Sequence, residues 1–195
     1  AIASRGTSNV AAYDIYLRGR QLIRREKEAE SRSAAELFRQ AARLDPTFAA
    51  AYAGLAQILA LMIFRRQELA KSMLAEARQA SASALDLGPE LVEAWVSRAI
   101  VHMVARENDD SARAYERAIV LDPRCFDAHY FYARFHVTLG DHARAIEHYE
   151  KAFEIDPENF LPKTLSIQEY QALGNVAGAR RAVEQAWAAI ERRLA

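Results

Sequence analysis

A single cysteine, Cys125, rules out a disulfide within the chain and leaves the redox compartment open. Charge of one sign is also missing: 26 Lys and Arg balance 26 Asp and Glu. The zero net charge removes the electrostatic footprint of a nucleic-acid-binding module, so no nucleic-acid contact is expected. No stretch supplies the roughly 18 uninterrupted apolar residues of a membrane span. The longest candidate, LAQILALMIF, runs into Arg65 and Arg66. Glycine is scarce, seven in 195 residues, and no glycine-rich phosphate loop, nucleophile elbow or CxxC pair occurs. Nothing reads as a strand.

The polar residues that remain have plain explanations. His129 and His136 stand seven apart, about 10.5 Å along a helix, too far for one metal ion without ligands from elsewhere. Both are read as core packing. His142 and His148 lack the i, i+4 spacing of a helical metal pair. Glu107-Asn108-Asp109-Asp110 lacks the glycine and the later glutamate of a calcium loop and reads as a helix start. The basic run Arg18, Arg20, Arg24, Arg25 and Lys27 is answered by Glu26, Glu28 and Glu30, the pattern of a solvated helix face. No enzymatic activity and no cofactor are expected.

What is present is a period. Pro89, Pro123 and Pro157 stand 34 residues apart, Pro46 precedes them by 43, and all but Pro89 follow an Asp that closes a helix-like run such as AIVLDP or AFEIDP. A fixed spacing of this length marks a stack of repeats. Five units carry alanine at one equivalent position, Ala41, Ala84, Ala118, Ala152 and Ala186. A second small-residue position reads Ala34, Ala77, Ser111, Ala145 and Ala179, and a third Gly19, Ala56, Ala99, Ala133 and Ile167. Larger residues lie between, as at Phe38, Tyr115 and Tyr149. With 51% apolar residues the chain can bury a continuous core.

Segments such as SAAELFRQAARL and HARAIEHYEKAF space apolar residues by three and four, the signature of amphipathic helices. Leu139-Gly140-Asp141 and Leu173-Gly174-Asn175 put glycine where a helix end needs left-handed backbone, followed by a residue able to cap the next helix. Each Asp-Pro pair bars the Asp from helical geometry and is expected to place Pro in the first turn of the following helix. Ten helices are predicted in antiparallel pairs, near 9–27, 31–44, 47–64, 67–86, 90–105, 108–121, 125–138, 142–155, 159–172 and 176–193.

The pattern resembles the tetratricopeptide repeat over nearly the whole chain. FDAHYFYARFHVTLGDHARAIEHYEKAFEIDP is the best copy, with Ala133, Gly140, Ala145, Tyr149, Ala152 and Pro157 in place; the preceding unit keeps Trp95, Ala99, Tyr115, Ala118 and Pro123. Departures are Ser81 for the aromatic of the second unit, Lys163 at a large-residue position of the fifth, and His102 and His136 where the pattern has Tyr. The resemblance implies an all-α, right-handed superhelical solenoid of five helix pairs, each hiding its apolar face against its neighbours. The units run about 12–46, 49–89, 92–123, 126–157 and 160–195, with residues 1–8 read as a linker or the tail of a preceding domain.

In such arrays the first helices of successive units line a groove. Residue by residue, the resemblance gives Tyr13, Tyr16, Arg20, Gln57, Val96, Ile100, Tyr130, Arg134 and Gln168 as the groove, a mixture of aromatic and hydrogen-bonding side chains suited to a protein or peptide partner. Family members that hold chaperone tails use Lys and Asn where this chain has Tyr16 and Arg20, so that specialisation is disfavoured. The opening VAAYDIYLRGRQLI and AAELFRQAARLDPTFAAAYAGLA look like the first repeats of arrays attached to bacterial class III adenylate/guanylate cyclases and winged-helix transcription activators. The start AIASRGTSN, without Met, fits a fragment of such a regulator, cytoplasmic, or periplasmic if the regulator spans a membrane. Two readings stay open: a scaffold whose groove holds a partner, or a regulatory or dimerisation domain contacting its own neighbour or a second copy. A small-ligand sensor is a weaker third.

Two apolar features point to self-association. The second unit has nine extra residues between Ala56 and Ala77, none of them Gly or Pro, which predicts lengthened helices and a protruding tip near Ile63, Phe64, Leu69 and Met73. In the last helix Trp187, Ile190 and Leu194 form an apolar stripe with no further repeat to cover it, and a homodimer is one way to bury it.

Overall fold

The computed structural model describes residues 6–23, 28–65 and 70–194. Among them are ten α-helices and no strand: α1 (Val10–Ile23), α2 (Glu28–Leu44), α3 (Ala49–Arg65), α4 (Ala70–Leu87), α5 (Val92–Val104), α6 (Asn108–Leu121), α7 (Phe126–Leu139), α8 (His142–Ile155), α9 (Leu161–Ala172) and α10 (Val176–Leu194). Arg24, Arg25 and Lys27 of the basic run, Glu26 that answers them, and Leu69 at the expected hairpin tip lie outside the described residues.

The chain forms two compact units, Ala1–Arg117 and Ala118–Ala195. In the first, α1 packs on α2, α2 on α3, α3 on both α4 and α5, and α4 on α5. In the second, α7 packs on α8, α8 on α9, and α9 on α10. The repeat positions explain these pairings. Ala34, Ala41, Ala77, Ala84, Ala118, Ala145 and Ala152 have no exposed surface, because helix backbones approach closely only over small side chains. Phe38, Tyr115 and Tyr149 fill the spaces between. Phe38 is held most tightly: a Cβ on Gly19 or on Gly54 would come within 2.9 Å or 2.7 Å of its ring.

The turns differ from the sequence expectation in one respect. Pro46, Pro123 and Pro157 precede the next helix and do not enter its first turn, since α3, α7 and α9 begin at Ala49, Phe126 and Leu161. The Asp carbonyl takes the N–H three residues on, as Asp45 does from Phe48, Asp122 from Cys125 and Asp156 from Asn159, each at 3.1 Å. The Asp45 and Asp122 carboxylates also accept from the N–H two residues on, each at 2.9 Å. This is a β-turn with Pro at its second position, stabilised by an Asx contact.

The glycine ends follow the prediction. Gly140 (φ 72°) and Gly174 (φ 67°) are left-handed. Asp141 then accepts from the N–H of Arg144 at 3.2 Å and Asn175 from that of Gly178 at 2.8 Å. The same left-handed position before α6 is occupied by Arg106 (φ 62°).

The nine extra residues lengthen both helices of the second pair, to 17 residues in α3 and 18 in α4 against 13 in α5 and 14 in α6. Phe64 is partly open at the end of α3, whereas Ile63 is buried and does not contribute an exposed tip. Every residue from Ala53 to Leu61 is buried, as expected of a helix that is apolar all round and packed against four others.

Candidate interaction face

In the first unit the start of α1 is tied to the end of α2. Asn9 caps α1, its Oδ1 accepting from the N–H of Ala12 at 3.1 Å, while its Nδ2 donates to the Leu44 carbonyl at 2.9 Å. The Thr7 hydroxyl donates to Asp45. With α1 so fixed, Tyr13, Tyr16 and Arg20 lie half-buried along one side of it. Tyr16 sits edge-on to Phe48 (ring centres 5.1 Å apart) and stacks with Tyr13 at 6.3 Å. Arg20 donates to the Tyr16 hydroxyl at 3.4 Å. Burial, the largest influence, raises the Tyr16 phenol above its ordinary range, so it stays protonated at neutral pH.

The rest of the expected groove is less accessible. Gln57, Val96 and Ile100 are buried, Ile100 completely, so these three are core and offer no contact surface. Here the first helices of successive pairs meet, α3 packing directly on α5, and less of the groove that the resemblance implies is left open.

In the second unit Tyr130 is likewise buried, stacked on Phe126 at 5.5 Å and edge-on to Phe131 at 5.1 Å. Arg134 lies over its ring at 5.8 Å. Arg134 is half-buried and Gln168 exposed. Of the expected groove, Tyr13, Tyr16 and Arg20 in one unit and Arg134 and Gln168 in the other retain accessible surface.

On α10, Trp187 is 62% exposed and Leu194 82% exposed, with Ile190 half-buried. Val176 and Val183 extend the open apolar surface along the same helix. The Trp187 indole N–H donates to Glu191 at 2.7 Å.

The second unit also holds polar contacts that the period did not reveal. Lys163 is buried, its ammonium bonded to Glu150 and 4.8 Å from the centre of the Phe153 ring. Glu150 also accepts from the Tyr170 hydroxyl at 3.1 Å. Buried Glu169 meets His142 Nδ1 at 2.6 Å. Between α7 and α8, His129 Nδ1 lies 3.0 Å from His148 Nδ1, and the His136 and His148 rings are parallel within 3°, 5.7 Å apart. Burial lowers the basicity of all three imidazoles, that of His148 to about 4. They are neutral at pH 7. In the first unit Glu107 receives Arg78 at 2.7 Å and faces His102 Nδ1 at 2.6 Å, and its carboxyl is held down to about 2.

Comparison with known proteins fits this architecture. Residues 96–160 match the tetratricopeptide repeat family model. No curated protein sequence matches the chain. Among solved structures, a thermophilic tetratricopeptide-repeat protein of Thermus thermophilus aligns at TM-score 0.71 and 16% identity, over 94% of this chain and 96% of that one. MamA from Desulfovibrio magneticus RS-1 aligns at TM-score 0.56 and 15% identity, over 95% and 96%. YrrB, described as having an unusual peptide-binding site, aligns at TM-score 0.54 and 18% identity, over 91% and 86%. At such identities the likeness shows a fold: the chain has that of tetratricopeptide-repeat solenoids. Among the described residues, no helix is long and apolar enough to cross a membrane.

Proposed function

We propose that this chain is a non-enzymatic interaction scaffold that holds a partner peptide or domain, and that it serves within a bacterial signalling regulator in the cytoplasm. The observation that carries the reading is the aromatic edge of α1. Tyr16 is seated on Phe48 and Tyr13 is stacked beside Tyr16, both partly open, with Arg20 hydrogen-bonded to the Tyr16 hydroxyl. Rigid aromatic side chains next to an arginine give large contact area at low entropic cost, the composition of binding hot spots. YrrB, which shares the fold, supports a peptide as the partner. The regulator setting draws its support from the resemblance of the opening segments to cyclase- and activator-linked arrays.

The test is a selection of peptides from a random library on the immobilised chain, followed by calorimetry. Tyr16→Ala with Arg20→Ala is expected to weaken the selected peptides by about 2 kcal/mol or more. Unchanged affinity moves the site off α1.

A second reading, dimerisation or docking on a neighbouring domain, is favoured by the open apolar surface of α10, where Trp187 and Leu194 are mostly exposed. Phe64 at the end of α3 is a further open apolar side chain. Sedimentation of the wild type and of Trp187→Glu separates the readings: a concentration-dependent dimer lost in the variant supports the second, and a strict monomer removes self-association.

A further inference from the structure

We propose that His129 and His148 form a chelating site between α7 and α8 for a late first-row divalent cation: zinc, nickel or copper. This site is separate from the α1 face and does not depend on the interaction reading.

The first argument is the tautomer. His129 Nε2 lies 3.2 Å from the Pro123 carbonyl, which can only accept, so Nε2 carries the hydrogen and Nδ1 presents a lone pair. An imidazole that donates one nitrogen to a backbone carbonyl and turns the other inward is arranged as metal-binding histidines are. The second argument is distance. His148 Nδ1 lies 3.0 Å from that lone pair. Two nitrogens each about 2.1 Å from one ion stand about 3.0 Å apart at a right angle and about 3.4 Å apart in a tetrahedron. The pair therefore meets one geometry as it stands and the other after a few tenths of an ångström of opening.

Without an ion, His148 Nδ1–H donates to His129 Nδ1. Coordination replaces that shared hydrogen, and His148 moves its proton to Nε2, with no net release. The Tyr132 ring, 4.5 Å from His148 and 4.6 Å from His136, steadies the imidazole planes. Among the described residues no three ligating side chains converge on one point, so solvent completes the coordination shell. His136 is the neighbouring imidazole, with both ring nitrogens buried and without a hydrogen-bond partner. Glu147, Asp122 and Asp141 bring negative charge towards the histidine cluster, and Arg144 and Lys151 oppose it. Two imidazoles with open positions suit zinc, nickel and copper, and disfavour magnesium and calcium.

The experiment is calorimetric titration of the tag-free chain with zinc, nickel and copper(II) chlorides at pH 7. One equivalent of at least one ion should bind, and His129→Phe and His148→Phe should each weaken it at least tenfold. His142→Phe, whose imidazole is bonded to Glu169, should leave it unchanged. Absence of binding to the wild type, or binding that survives both substitutions, overturns the site. Because losing a core histidine can unfold the pair, copper(II) electron paramagnetic resonance on the wild type gives an independent readout. Coupling to two imidazole nitrogens is expected, and one or none overturns the proposal.

Discussion

Arg106 and Gly140 stand 34 residues apart and share one left-handed backbone conformation, φ 62° and 72°. The repeat demands the turn, but only the later unit supplies the residue that adopts it without strain. A side chain in this conformation costs about 1 kcal/mol relative to glycine. Arg106 is exposed, so removing its side chain leaves no cavity. Arg106→Gly is expected to stabilise the chain by about 1 kcal/mol, and Gly140→Ala, whose Cβ would meet nothing within 4 Å, to destabilise it by a similar amount. Urea unfolding of both variants checks the pair, and a destabilising Arg106→Gly contradicts the strain argument.

Phe38 closes the gap between α1 and α3 because both helices offer glycine to its ring. A Cβ at Gly54 would lie 2.7 Å from it, inside any tolerable contact. Phe38 is fully buried and has nowhere to retreat. Gly54→Ala should therefore cost about 1–3 kcal/mol. Adding Phe38→Leu should recover part of that loss, giving a coupling energy in a double-mutant cycle. Strictly additive costs would show that the two sites do not touch.

The carboxyl of Glu107 is held down to about 2, first by Arg78 and then by His102. A depressed acid contributes stability that is complete above its unfolded value, about 4.5, and is lost as pH falls towards 2. The ion pair is partly solvated, which limits its contribution to about 1 kcal/mol. Glu107→Gln should lower the melting temperature at pH 6, and the gap from wild type should close between pH 4.5 and 2. A gap constant over that range assigns the effect to packing.

The period made most of the fold legible, because proline, alanine and the Gly140 and Gly174 turns each answer a local requirement that recurs every unit. Apart from the ends expected at 27 and 67, which lie outside the described residues, helix bounds were read within about three residues for the same reason. Residues outside the motif were harder. Gly54 lies two positions from the small-residue site at Ala56, so no repeat rule marks it. The groove was only half legible: the resemblance puts Val96 and Ile100 on the open side, but cannot tell how closely α5 approaches α3. Nor did spacing along one helix reveal His129 against His148. The sequence separates those residues by a turn, and only the α7–α8 packing joins them. Arg106 was within reach, since counting back one period from Gly140 lands on it.

Lys163 occupies a position where the pattern has a large apolar residue, and burying its charge is tolerated because Glu150 meets it. The ammonium lies near the Phe153 ring and bonds the carboxylate. Glu150 is itself a third exposed, so its loss of a partner is softened by solvent. The deeper cost falls on a lysine left alone. Glu150→Gln should therefore destabilise the second unit by about 3 kcal/mol, since it takes away the carboxylate that meets the buried Lys163 ammonium. Lys163→Met, which removes the buried charge and keeps the volume, should cost far less, and the double substitution should lie close to Lys163→Met alone. Chemical denaturation followed by Trp187 fluorescence, with Trp95→Phe to isolate the signal, measures all three. Equal losses in the two single variants would mean that the pair acts as a simple hydrogen bond, with no buried charge to compensate.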